Sequence, residues 1–155
     1  MSSNISYESL LSFRIKKILM ICSNYDAFIL NEDGQIEAEL RREYIDLNLS
    51  NPPKFVWTKT SETAARILEK DSTIDMVICM YNEQDGGIFS LAKKLRESGS
   101  NISFVLLMHY SKTIRKRIFE QEDNTGIDYI FSWHGNADLI LAIVKLFEDF
   151  HNADH

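Results

Sequence analysis

Only two cysteines and two prolines occur in 155 residues, and glycine is held to six. Two cysteines cannot build a disulfide framework, and Cys22 and Cys79 both fall in apolar, strand-like runs. That setting predicts buried, reduced, unlinked thiols rather than half of a zinc site. The two prolines are consecutive, Pro52-Pro53, and neither low-complexity tracts nor internal repeats are present. Glycine is missing from CSNYDAF, the segment after the first apolar run, so flavin mononucleotide would lack its Ser/Thr/Gly-rich phosphate loop. No apolar run reaches bilayer-spanning length, and MSSNISYESLLSF has no basic stretch leading into an apolar core and a cleavage site. The expectation is a cytoplasmic chain with no membrane role. Basic residues are also in deficit, 17 Lys and Arg against 23 Asp and Glu, for a net charge of -6 and a pI near 5.2. A nucleic-acid surface normally carries the opposite excess, so no nucleic-acid partner is expected.

What is abundant is apolar residues, at 45%, enough for one domain with a sizeable core. Three runs are too continuously apolar to face water on either side: Ile15–Cys22, Met76–Met80 and Ile102–Met108. They read as central parallel strands, joined by shorter ones at Lys54–Thr58 and Tyr129–Ser132. Residues 1–15 suit an arm or short helix. A first helix, interrupted by the turn Asn31–Gly34, resumes over Gln35–Leu47, where Ile36, Leu40, Tyr44 and Leu47 keep helical spacing. Further helices are predicted over Glu62–Lys70, capped by Thr60 or Ser61, over Ile88–Ser98, ended by Gly99, after His109-Tyr110-Ser111, and over Asn136–Phe150. Strict β-α alternation with right-handed crossovers leaves few topologies. The flavodoxin-like order 2-1-3-4-5, with helices on both faces, is the commonest for five strands.

Chemistry in such a sheet gathers at the carboxyl ends of the strands, above all where Met76–Met80 runs into the polar loop Tyr81–Gly87. The residue at that strand end is Met80, a thioether, which is no nucleophile, phosphate acceptor or ligand for a hard cation.

From Lys16 to Phe150, the order and spacing of elements resemble the receiver domain of two-component response regulators. The resemblance implies an acid pair after the first strand, a phosphoacceptor aspartate ending the third, a hydroxyl ending the fourth and a lysine ending the fifth. Laid on this chain, those positions hold Cys22 and Ser23, Met80, Met108, and Ser132. All are lost. The nearest acids, Asp26, Glu83 and Asp85, are displaced into helix or loop, and the receiver's Mg²⁺ would lose its oxygen ligands. The resemblance therefore implies a pseudo-receiver with no catalytic residue, metal or cofactor of its own. Strings such as YIDLNLSNPPKF and GIDYIFSWHGNADLILAIVKLFED are also similar to the degenerate receiver-like domain at the N-terminus of phosphoenolpyruvate synthase-like proteins, relatives of pyruvate, phosphate dikinase. That likeness implies that residues 16–155 form one receiver-like domain, with a catalytic region attached in a longer protein.

Two functions compete. In the first, the fold keeps a receiver's surfaces without its chemistry and signals by binding a protein partner, an adjacent domain or a second copy of itself. The candidate interface is the face of the fourth helix, fifth strand and fifth helix: Lys112, Arg115, Lys116, Tyr129 and Trp133. In the second, the strand ends hold a small-molecule or thiol site, with Cys22 as nucleophile and His109 or His134 as base.

Overall fold

In the computed structural model, residues 15–22, 38, 41–42, 53–134 and 138–153 are described. The expected N-terminal arm, most of the first helix, Ser23, Asp26 and the Asn136 cap lie outside them. Ala38, Arg41 and Arg42, within the expected segment Gln35–Leu47, are helical.

Five parallel strands form one sheet: β1 (Lys17–Ile21), β2 (Lys54–Thr58), β3 (Met76–Met80), β4 (Ser103–Met108) and β5 (Tyr129–Ser132). Their spatial order is β2-β1-β3-β4-β5, as expected. Registers such as Leu19 opposite Val56 and Val77, and Cys79 opposite Leu106, place β1, β3 and β4 in the interior. Every residue of β3 and β4 is buried, which explains their uninterrupted apolar sequences.

Alternation along each strand divides the core in two. One layer holds Met20, Cys22, Ile78, Met80 and Leu107 with Ile140, Ile143, Val144 and Phe147 of the last helix, α4 (Asp138–Ala153). The other holds Ile21, Cys79, Leu106 and Met108 under α1 (Ser61–Lys70), α2 (Ile88–Glu97) and α3 (Lys112–Lys116). The buried positions of α4 recur at helical spacing, and each side chain removed from water contributes about 1.5–3 kcal/mol. The two cysteines, neither of them in a disulfide, therefore lie on opposite faces of the sheet.

Local signals set the helix ends. Thr60 Oγ1 accepts the Thr63 amide at 3.2 Å and starts α1. At the far end of α2, Gly99 takes φ +77°, and the Ser100 amide reaches back to the Leu95 carbonyl at 3.1 Å. Helix α3 is shorter than its cation-rich sequence suggests. Arg117–Gln121 continues it as a π-turn, closed by the Glu122 amide on the Arg117 carbonyl at 3.1 Å. Among the described residues no helix is long and apolar enough to cross a membrane.

Candidate functional site

Strand order reverses between β1 and β3, and such a switch point is where parallel α/β sheets open a crevice. Here the crevice is lined by strand ends that stay zipped. The Cys22 amide donates to the Thr58 carbonyl at 2.9 Å, Tyr81 to Leu107 at 2.7 Å and Trp133 to Met108 at 2.7 Å. Cys22, Met80 and Met108 are 2%, 4% and 5% exposed, so apolar side chains plug the sheet end.

The sheet divides the residues expected to line this pocket. Cys22 and Met80 belong to the α4 layer and Met108 to the opposite one. Ser132, paired with Met108 across the β4–β5 ladder, follows Met108 to that second side and is half-buried. Ser23 lies outside the described residues.

Beyond β3, the chain tightens into a turn in which the Gln84 amide donates to Asn82 Oδ1 at 3.0 Å. This aims Asp85 across to the start of α1. Its Oδ2 accepts the Ser61 amide at 2.7 Å, and its Oδ1 accepts the Ser61 hydroxyl at 2.5 Å and the Gly87 amide at 3.3 Å. Ser61 is itself buried. Both oxygens of Asp85 are committed to tying the loop after the third strand to a helix N-terminus, where a carboxylate is favoured. From the other side, Arg117 donates to the Tyr81 hydroxyl and stands 3.5 Å from Glu83, and these contacts push its pKa above the ordinary arginine value.

The sheet order, the buried central strands and the loop after β3 can be set beside solved structures. No family model matches the sequence, and no curated protein is similar enough to count as a relative. Similar structures include the signal receiver domain of an HD domain-containing protein from Pseudomonas fluorescens Pf-5. The two share 20% identity with a TM-score of 0.59, over 97% of each chain. The receiver domain of Francisella response regulator 1452 shares 14% identity with a TM-score of 0.54, over 88% of this chain and 98% of that one. This chain has the receiver-domain fold. At these identities the likeness extends to the backbone alone.

Within that fold, the candidate interface needs correction. Trp133, readable from sequence either as an interface anchor or as packed over the sheet edge, is 2% exposed and sits in the same layer as Cys22, Met80 and Ile140, which favours packing over an anchor. Its indole follows directly on an edge strand and turns into the core, where it buries more apolar area than it could on the surface. Tyr129 is 44% exposed, but it stacks on Phe131 at 5.8 Å and meets the Phe147 edge at 5.4 Å, on the α4 side. Lys112, Arg115 and Lys116 are exposed on α3, which covers the other layer. The five residues thus do not form one patch.

Sequence reasoning missed two exposed aromatics beside those cations: Tyr110, 62% exposed, and Phe119, 50% exposed. The signal for Phe119 lay in Ile118-Phe119, two adjacent large apolar residues, of which only one can face inward on a helix.

The thiol expected as a nucleophile, Cys22, is 2% exposed, while the candidate bases His109 and His134 are exposed. Cys79, on the opposite face of the sheet, is completely buried, and desolvation pushes its pKa well up, with smaller contributions from Asp85 and Cys22. Among the described residues no group of three or more His, Cys, Asp or Glu is arranged to hold a metal ion.

Proposed function

We propose that this chain is a degenerate receiver domain that regulates by docking, to a protein partner or to an adjacent domain of the same polypeptide, and carries no phosphoryl-transfer step of its own. The observation that supports this reading most is the double engagement of Asp85. Asp85, in the loop that leaves the phosphoacceptor position, is the anchor of α1, and Met80 fills the position itself. A receiver's chemistry needs an attacking carboxylate and further oxygens for a hard cation. Among the described residues the strand ends offer a thiol, two thioethers and a hydroxyl, none of which supplies that attacking carboxylate.

The strings similar to phosphoenolpyruvate synthase-like proteins extend the proposal. In that context the domain would sit beside a catalytic region and influence it through contact, within the cytoplasm. Self-association to a homodimer would serve the same end. A thiol or small-molecule site at the strand ends is the weaker reading, because both cysteines are closed off from solvent.

Beryllofluoride with Mg²⁺ mimics a phosphorylated receiver and provides the test. Amide resonances of residues 76–85 and 103–111 should move no more than they do with Mg²⁺ alone. Saturable shifts concentrated at Met80, Tyr81 and Asp85 would overturn the proposal.

A further inference from the structure

Helix α3 and its π-turn present a surface that neither the core nor an ion pair uses. Lys112, Arg115 and Lys116 are exposed, and none of them makes an ion pair with another described residue. Other cations do find acids: Lys17 with Asp71, Lys93 with Asp123, Arg96 with Asp128 and, directly after Lys116, Arg117 with Glu83. Three adjacent unpaired cations in a chain of net charge -6 are a local reversal of sign.

Apolar surface accompanies the charge. The π-turn sends Ile118 fully into the core and leaves Phe119 half exposed, with the Arg115 guanidinium 5.2 Å from its ring centroid. Tyr110 stands at the other end. Together with Lys112, Lys116 and Glu120 these residues line an open cleft of ≈ 570 Å³. Aromatic residues and arginine are enriched at binding surfaces, and Phe119, Tyr110 and Arg115 stand together here.

We propose that this cleft docks an acidic peptide segment carrying an aromatic or aliphatic anchor. The proposal rests on the docking reading above and names the chemistry of the partner. The anchor side chain covers Phe119 and Tyr110, and carboxylates pair with Lys112, Arg115 and Lys116. Arg115 is held ready by Phe119 to accept a carboxylate in two-point fashion. Nucleic acid fits less well. The cations occupy little more than one helical turn, too short a run to follow a phosphate backbone, and Glu120 borders the cleft.

The test is selection of displayed random-sequence peptides on the intact chain, with counter-selection on the triple variant Lys112→Glu/Arg115→Glu/Lys116→Glu. These side chains are exposed, and unchanged circular dichroism and thermal midpoint establish that the variant folds. Enriched peptides are expected to combine Asp or Glu with an aromatic or large aliphatic residue. Their affinity should fall about tenfold or more in the triple variant, and again as salt rises. Phe119→Ala should weaken them without altering the salt dependence. The inference is overturned if no peptide is enriched, if enriched peptides bind the triple variant equally well, or if single-stranded oligonucleotides bind the cleft more tightly than they do. Self-association abolished by the triple variant would also overturn it, by making a second copy the occupant. A phosphoryl group taken up from a small donor would instead sink the degenerate-receiver reading, with its claim of no phosphoryl-transfer step, and leave the peptide result intact, so the two failures are distinguishable.

Discussion

Asp85 grips Ser61 with both carboxylate oxygens, one on the backbone amide at 2.7 Å and the other on the hydroxyl at 2.5 Å. Through this pair, the loop after the third strand is tied to the helix that leads into that strand. Asp85, one of the acids displaced from the receiver pattern, is a structural clamp.

Asp85→Ala should therefore destabilise the fold by about 1–2 kcal/mol, the usual cost of losing a charged partner at a helix N-terminus. Ser61→Ala removes only the hydroxyl contact and should cost less. Urea unfolding of the two variants checks the order, and an Asp85→Ala protein as stable as the parent would show the clamp to be idle.

Restoring the missing acid should not restore the chemistry. Met80 is 4% exposed among apolar neighbours, so Met80→Asp buries an unpaired carboxylate at a cost of about 3–5 kcal/mol. The variant should lose stability and still gain no mass from acetyl phosphate. A folded variant that is phosphorylated would mean that oxygen ligands are closer at hand than Cys22 suggests.

Two glycines make a matched pair. A Cβ on Gly126 would run into the backbone of Ala92 and Lys93, while a Cβ on Gly86 meets nothing within 4 Å. Gly126→Ala should cost about 3 kcal/mol, because backbone cannot move aside as a side chain can. Gly86→Ala should stay within about 0.5 kcal/mol of the parent. Thermal melts of both variants distinguish a real close approach at the α2–β5 junction from loose packing there.

Acid sensitivity should be traceable to Asp71. Its hydrogen bond from Lys17, together with those from the Thr73 hydroxyl and amide, holds its pKa at about 2, below the ordinary 3.8. A carboxyl lowered on folding binds more protons in the unfolded chain. Its contribution is therefore complete above 3.8 and is lost as pH falls toward about 2. Asp71→Asn should flatten the stability profile in that window and leave its shape near neutrality unchanged. Denaturant midpoints measured along an acid series decide it.

The fold was readable because double burial leaves a plain mark. MVICM and SFVLLM can sit only in the middle of a parallel sheet, and β3 and β5 keep their expected bounds to the residue. The site was less readable. Sequence identifies Cys22, Met80, Met108 and Ser132 as strand ends, but the face each one takes depends on register, and register splits them two and two. Trp133 stayed undecided between an anchor and a packed residue for a related reason. One residue past a strand, an indole can turn either way, and only the packing of α4 shows that it turns inward. The Asp85–Ser61 clamp spans 24 residues and leaves no periodic trace.

Intact mass after incubation with acetyl phosphate and Mg²⁺ tests the central claim most directly. With Asp85 engaged by Ser61 and the strand ends closed by Cys22, Met80 and Met108, the mass should stay that of the unmodified chain. A stoichiometric gain of one phosphoryl group, abolished by Asp85→Asn, would contradict it.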